Sequence, residues 1–250
     1  MLKPLVDHNS QYYAAISNVE ARPWGRMFHN NQVPNHIDSN HADGVSPETR
    51  NLDKVLDEIE EFYWGKGLTP SLRYNQFNTS PEFEKKLLER KYKIRPASYK
   101  MMLWDNIPEH YGVSPGITVE KVGSHNQVEA LHIILGERSW GLPETLTGVF
   151  AREMAHPNIQ YFLVRKDQVP AATGLLFLQG GLGRIDNVRT LPNYRTQGCA
   201  SALVKHIQSV YTGNQGTGLY LLAGEILCGL YARLGFTDLG LVDEFTAYRP

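Results

Sequence analysis

The sequence predicts an α/β protein built on a mixed, largely antiparallel sheet. Three observations lead there: a three-strand run broken only by tight turns, a second half in which further strands alternate with amphipathic helices, and a first region reading helix, strand, helix, strand. At 250 residues the chain can bury one large core or two small ones.

In the first 35 residues apolar patches alternate with Asn, His and Pro, and no long element is expected. In SPETRNLDKVLDEIEEFYWGKG, Ser46 is a cap candidate, Pro47 suits a first turn, and Leu52, Val55, Leu56, Ile59 and Phe62 recur on one face until Gly65 or Gly67 stops the helix. LTPSLRYNQ reads as a short strand. SPEFEKKLLERKY reads as a helix with Phe83, Leu87 and Leu88 inward, and YKMMLWD as another strand. NIPEHYGVSPG (106–116), with two prolines and two glycines, is the expected boundary. It divides a smaller α/β domain, 1–115, from a second domain, 116–250.

The second domain opens with a strand in ITVEKV. A helix follows over 124–136, carried by Val128, Leu131, His132 and Leu135, and another over 143–154. IQYFLVRKDQVPAATGLLFLQGGLGRIDNVRT gives three strands joined at RKDQVP and QGGLG. A helix over 198–210 (Leu203, Val204, Ile207) is broken by TGNQGTG. LYLLA is then a buried strand, EILCGLYARLG a short helix ended by Gly235, and EFTAYR a final strand.

With 25 basic against 26 acidic residues, composition offers no reason to expect a nucleic-acid partner. No apolar run approaches the roughly 20 residues of a membrane span, and polar breaks in MLKPLVDHNSQYYAAISNVE leave no signal-peptide core, so no membrane association and a cytoplasmic location are expected. Cys199 and Cys228 fit no metal pattern. His29, His36 and His41, near Asp38 and Asp43, match no standard zinc spacing; an ordinary polar loop and no metal are expected. Trp24, Phe28, Trp64, Trp104 and Trp140 are expected in the core or between domains.

The segment richest in chemistry is NVRTLPNYRTQGCASALV. A strand ending near Thr190, a turn, and a helix starting within 195–200 would leave unpaired backbone N–H groups at a helix mouth, an anion site by hydrogen bonding and dipole together. Gly198 permits close approach, Ala200 is small, and Arg195 adds charge. A tight turn entering a core helix, with Arg195 in solvent, is the plain alternative. The segment lacks the GKS or GKT of a Walker loop and the G-x-G-x-x-G of a dinucleotide fingerprint.

This stretch and the order of elements resemble the GNAT superfamily of acyltransferases. RTQGCA (195–200) is similar to the family's Q/R-x-x-G-x-G/A stretch for the coenzyme A pyrophosphate. NVRT (187–190) corresponds to the splayed strand that contacts the pantetheine arm, and Leu230, Tyr231, Gly235 and Phe236 agree with the family's Leu-Tyr and Gly-Phe. Glu225 and Cys228 depart from the usual Asn and Ala. The resemblance covers 117–250, and residues 1–115 resemble a degenerate GNAT-like half without such a loop.

The resemblance implies acetyl-coenzyme A as cosubstrate and transfer of its acetyl group to a primary amine of a small molecule by direct attack in a ternary complex. Cofactor contacts are then expected from Val188, Arg189, Thr190, Arg195, Thr196, Gln197, Gly198, Cys199, Ala200 and Ser201. A backbone N–H near Val188 or Arg189 would face the carbonyl oxygen, and Tyr231 would protonate the departing thiolate. The general base is open among Glu225, Glu153, Glu137, His132 and a water chain; Glu225 stands beside Tyr231 as a catalytic candidate, and His132, on an apolar helix face, reads first as a core histidine. A longer acyl donor, or a protein that binds coenzyme A for sensing without turnover, are the alternatives. Oligomeric state is open, a homodimer included.

Overall fold

A computed structural model of the chain describes residues 2–104, 115–137, 141–213 and 216–250. Its elements, in chain order, begin with α1 (Leu2–Ile16), β1 (Asn18–Arg22), β2 (Gly25–His29), β3 (His41–Asp43), α2 (Leu52–Gly65), β4 (Ser71–Asn75), α3 (Pro81–Glu89) and β5 (Lys93–Trp104). Then come β6 (Ile117–Lys121), α4 (Gln127–Glu137), α5 (Pro143–Ala155), β7 (Ile159–Lys166), β8 (Val169–Gln179), β9 (Leu182–Thr190), α6 (Cys199–Gly213), β10 (Gly218–Ala223), α7 (Cys228–Ala232) and β11 (Phe236–Tyr248). The mixed, largely antiparallel α/β architecture is as expected.

Two compact units emerge: Lys3–Tyr99 with Leu241–Pro250, and Lys100–Gly240. These bounds differ from a division at 115 and 116. The end of β5 goes with the second unit because residues 100–104 pair with β10, and the last residues go with the first because 244–248 pair with β4. Residues 106–114 of the expected boundary, and Trp140, lie outside the described residues.

In the first unit β1, β2 and β3 form an antiparallel run (Val19↔Phe28, Met27↔Ala42), and α2 crosses over to β4, which lies parallel to β3 through the pair Ala42↔Leu72. The core gathers Met27, Leu56, Ile59, Tyr63, Leu72 and Leu87. The Tyr63 hydroxyl donates to the Phe28 carbonyl at 2.9 Å, so this buried phenol is satisfied.

Several expectations need correction here. Residues 2–16 form a full helix; Leu5, Tyr12 and Ile16 are buried, but His8 and Asn9 share their stripe and disguise the apolar period. Helix α2 starts at Leu52, not at Ser46 and Pro47. Those residues make a separate turn in which the Thr49 amide donates to the Ser46 carbonyl (3.0 Å) and the Ser46 amide to the Thr49 hydroxyl (2.9 Å). Ser80 caps α3 by accepting from the Phe83 amide at 3.2 Å, whereas Leu88 is exposed because only one stripe of so short a helix meets the sheet.

The histidine loop is also more buried than expected. His36 and His41 are inside, with His36 Nδ1 2.8 Å from the Ser39 hydroxyl and the Asn40 amide donating to the carbonyls of Val33 (2.8 Å) and His36 (2.9 Å). Among the described residues no His, Cys, Asp and Glu cluster could hold a metal. Phe28 and Trp104 are core residues, while Trp64 is half exposed with Arg249 over its ring.

The second unit is a meander, β6 to β9, in which each strand pairs antiparallel with the next. Its β7–β8 and β8–β9 turns place Asp167, Gln168, Gly180 and Gly181 in the left-handed region, the backbone that two-residue hairpin turns demand. Helix α6 crosses to β10, parallel to β9, and its Leu203 and Ile207 pack with Phe162, Leu176 and Leu221. Helix α4 buries Ala130, Ile133 and Ile134, so the inward face is rotated from the expected one. Val128 and His132 point to solvent, and His132 is not a core histidine.

Candidate active site in the second unit

Parallel pairing of β9 and β10 spans only Leu182–Arg184 against Gly218–Tyr220, although β9 continues to Thr190 and β10 to Ala223. Beyond the last pair the strands part. On its other edge β9 keeps β8, with a register irregularity between Thr173 and Leu175, opposite which Asn187 adopts a left-handed φ of 51°. Gly174 makes this fit: a Cβ there would meet Val188 Cα at 3.3 Å and Leu203 at 2.9 Å.

The Leu191 amide donates to the Ala171 carbonyl across the β8–β9 pair. Strand alternation then turns the Arg189 N–H toward β8 and those of Val188 and Thr190 toward the parted side. The Arg189 guanidinium is buried and donates to the Ile134 carbonyl at 3.2 Å, so of the two backbone N–H candidates Val188 is the better aimed.

Between β9 and α6 the chain makes a short 3-10 turn at Pro192–Tyr194, then passes through Thr196 (φ 62°) and Gly198 (φ 87°). The first of these costs a β-branched residue strain; the second suits glycine. The Ala202 amide bonds to the Gly198 carbonyl at 2.9 Å, so the N–H groups just before it form the unpaired first turn of α6.

The parted strands and this turn bound a cleft of about 660 Å³. Val188, Arg189, Thr190, Arg195, Thr196, Gly198, Cys199, Ala200, Ser201 and Tyr231 all line it. Two candidates do not. Gln197 instead braces the turn, its side-chain amide donating to the Asn193 carbonyl at 2.7 Å, and Glu225 opens an exposed 3-10 turn ahead of α7 that directs it to solvent.

Lining residues not picked from sequence are Tyr194, Leu227 and Arg233. Leu227 stands three and four residues before Leu230 and Tyr231, a helical spacing that could have revealed the shared face.

Electrostatics in the cleft centre on Glu137. Its carboxylate accepts from Arg195 at 2.8 Å and lies 3.9 Å from Arg189. Tyr231 is buried, and burial, then the nearby charge of Asp186, pushes its phenol up to about 12, so it stays protonated at neutral pH. Burial also raises the Cys199 thiol, keeping it neutral.

Glu153, another base candidate, is inside the unit and away from the cleft. It accepts from the Tyr161 hydroxyl (2.6 Å) and from the Asn187 amide (3.3 Å), and so braces the irregular residue of β9.

The meander, the parallel strand across a helix and the opening between them are one recognisable architecture. Residues 128–236 match the profile of the Acetyltransferase (GNAT) family. The chain has the GNAT acetyltransferase fold. A GCN5-related N-acetyltransferase from Kribbella flavida superposes with a TM-score of 0.73 at 17% identity, covering 99% of this chain and 95% of that one. A conserved protein of unknown function from Staphylococcus epidermidis is similar over 94% of this chain and 95% of its own (TM-score 0.69, 14% identity). A GCN5-related N-acetyltransferase from Sphaerobacter thermophilus is similar over 91% and 78% (TM-score 0.60, 16% identity). At these identities the likeness is one of fold. No curated protein matches the sequence. No described helix is long and apolar enough to cross a membrane, which says nothing of β-barrels.

Proposed function

We propose that the second unit binds acetyl-coenzyme A in the β9–α6 cleft and transfers the acetyl group to a primary amine of a small molecule. One observation carries this reading: the opening between parted parallel strands, the unpaired amides of the turn and a protonated phenol all belong to one cleft. The pyrophosphate would lie on the amides of residues 198–201, with Arg195 alongside; Gly198 leaves that approach free of a side chain.

Acetyl-coenzyme A supplies an already activated thioester, so the protein's task is alignment, charge stabilisation and proton delivery. The Val188 N–H faces the developing oxyanion, and Tyr231 gives its proton to the sulfur leaving group. Glu137 is held by Arg195 and stands close to Arg189, and Glu153 is spent on Tyr161 and Asn187. A water relay is therefore the best route for the amine proton. The same observation favours, as second reading, a protein that binds coenzyme A without turnover.

The first unit is read as a degenerate copy of the same fold. Both units run three antiparallel strands, a helix, a parallel strand, a helix and a further strand, which supports common descent of the halves.

Calorimetric titration with acetyl-coenzyme A and with plain coenzyme A, with a nicotinamide dinucleotide as control, tests the binding reading. Selective binding followed by amine-dependent release of free thiol supports transfer. Binding without release favours the second reading, and no binding of either coenzyme A or its acetyl thioester rejects both.

A further inference from the structure

Among the described residues Asn187 is the one non-glycine residue inside a strand with a left-handed φ; the others of this kind sit in turns or at helix ends. A strand residue so placed needs something to hold it there. Its position also gives it a consequence. Rotation about ψ of Asn187 swings the planar peptide that follows, and that peptide carries the Val188 N–H.

Three side chains close a ring of hydrogen bonds at this residue. The Tyr161 hydroxyl donates to one oxygen of Glu153 at 2.6 Å, and the Asn187 side-chain amide donates to the other oxygen at 3.3 Å and to the Tyr161 hydroxyl at 3.1 Å. Both N–H groups of the amide and the single O–H of the phenol thus have acceptors. Glu153 and Tyr161 are buried, where a polar network tolerates the loss of a member poorly.

Sheet geometry ties this ring to the backbone. Tyr161 of β7 pairs with Leu175 of β8, and Leu175 with Asp186 of β9, so the three share one face of the sheet. Helix α5 covers that face, with Phe150 edge-on against Tyr161 at 5.0 Å between ring centroids. Strand alternation alone would send Asn187 to the opposite face. The irregularity between Thr173 and Leu175 instead brings its amide under α5, where Glu153 of the last turn accepts it. On the other side of the residue the Asp186 carboxylate accepts from the Asn187 backbone N–H at 2.8 Å. Glu153, Tyr161 and Asn187 themselves do not line the cleft.

We propose that Glu153 is a positioning residue for acetyl transfer: through Tyr161 and Asn187 it fixes the tilt of the peptide that presents the Val188 N–H to the thioester carbonyl. The inference rests on the reading of the second unit as an acetyltransferase. It gives α5 a part in a step that the helix does not touch.

The test uses the full chain and two kinds of readout. In proton–nitrogen correlation spectra without ligand, Glu153→Ala should displace the Val188 amide resonance. Leu146→Ala, which weakens the same helix from its buried face, should leave that resonance in place. In thiol-release assays Glu153→Ala should lower kcat by roughly tenfold while coenzyme A affinity by calorimetry stays within about twofold. Glu153→Gln keeps an oxygen for the Asn187 amide and should recover most of the loss. Asn187→Gly permits the left-handed backbone but removes the side-chain link, so adding Glu153→Ala to it should cost less than about twofold more. Tyr161→Phe takes the place of Glu153→Ala in the spectra and the double substitution if that variant does not fold. An unmoved Val188 resonance overturns the proposal, as does an equal displacement by Leu146→Ala. So does a full tenfold loss in the Asn187→Gly background, or a Glu153→Gln variant as inactive as Glu153→Ala, which would make Glu153 the base. A wild-type chain that binds coenzyme A but releases no thiol overturns the acetyltransferase reading instead, and the Val188 resonance then decides by itself whether Glu153 sets the peptide.

Discussion

The two units connect their parting strands to the following helix by segments of equal length, residues 44–51 in the first and 191–198 in the second, and the segments differ in charge and in their last residue. Position for position, Glu48 stands where the second unit has Arg195, and Asn51 where it has Gly198. Both closing residues are left-handed, with φ of 53° and 87°. The closing residues share a backbone region but the segments do not share a route, since Gly44 (φ 86°) is left-handed where Leu191 (φ -54°) is not and Thr196 (φ 62°) is left-handed where Thr49 is not. The charge at the helix mouth is reversed as well, and a carboxylate repels the phosphate that a guanidinium would attract.

Four substitutions or titrations would break or sharpen that comparison. The largest effect is expected from Tyr231→Phe, which removes the buried proton donor and should lower turnover by on the order of 100-fold with little change in coenzyme A affinity, as read by thiol release against calorimetry. Unchanged turnover would remove Tyr231 from the chemistry. Arg195→Glu imports the first unit's charge. It should weaken coenzyme A binding by about 10- to 100-fold, the scale of a charge-assisted hydrogen bond lost to repulsion.

Gly198→Asn imports the first unit's closing residue. Asparagine accepts the left-handed region, so the melting temperature should move little, while the added side chain costs roughly tenfold in affinity. A variant that binds normally would show that close approach at residue 198 is not needed.

The smallest effect is a pH slope. His41 titrates near 6.5 unfolded and near 3 folded, so between those values the unfolded state holds more protons and stability falls as pH falls. The contribution is intact above 6.5 and approaches about 1.4 kcal/mol lost per pH unit well below it. His36, also lowered by burial, adds in the same direction. Acid unfolding followed by hydrogen exchange should open the first unit before the second, and His41→Phe should flatten the slope.

How much of this was legible in the sequence depends on the range of the forces involved. The meander, its two tight turns and helix α6 follow from local period and turn chemistry, and the GNAT-like motif pointed to one turn that does line a cleft. The face of α4 was read wrongly, because Val128 and Leu135 suggest a stripe that the sheet does not use. Helix α1 was hidden because Asn9 and His8 occupy its buried stripe, and nothing nearby in sequence announces that Glu244 will accept from Asn9. Glu225 is a site candidate because it stands where the resemblance expects asparagine, yet a single 3-10 turn directs it to solvent.

What the sequence by itself determined is the order and type of most strands and helices and the donor-rich turn over residues 195–201, since period, turn residues and helix ends act over a few neighbours. Tertiary structure alone decided which strand edges part, which carboxylates are already held by arginines, and that residues 241–250 return to the first unit. Those outcomes rest on pairings such as Phe245 with Tyr74 and Arg195 with Glu137, between residues far apart in the chain, where no local pattern records the partner.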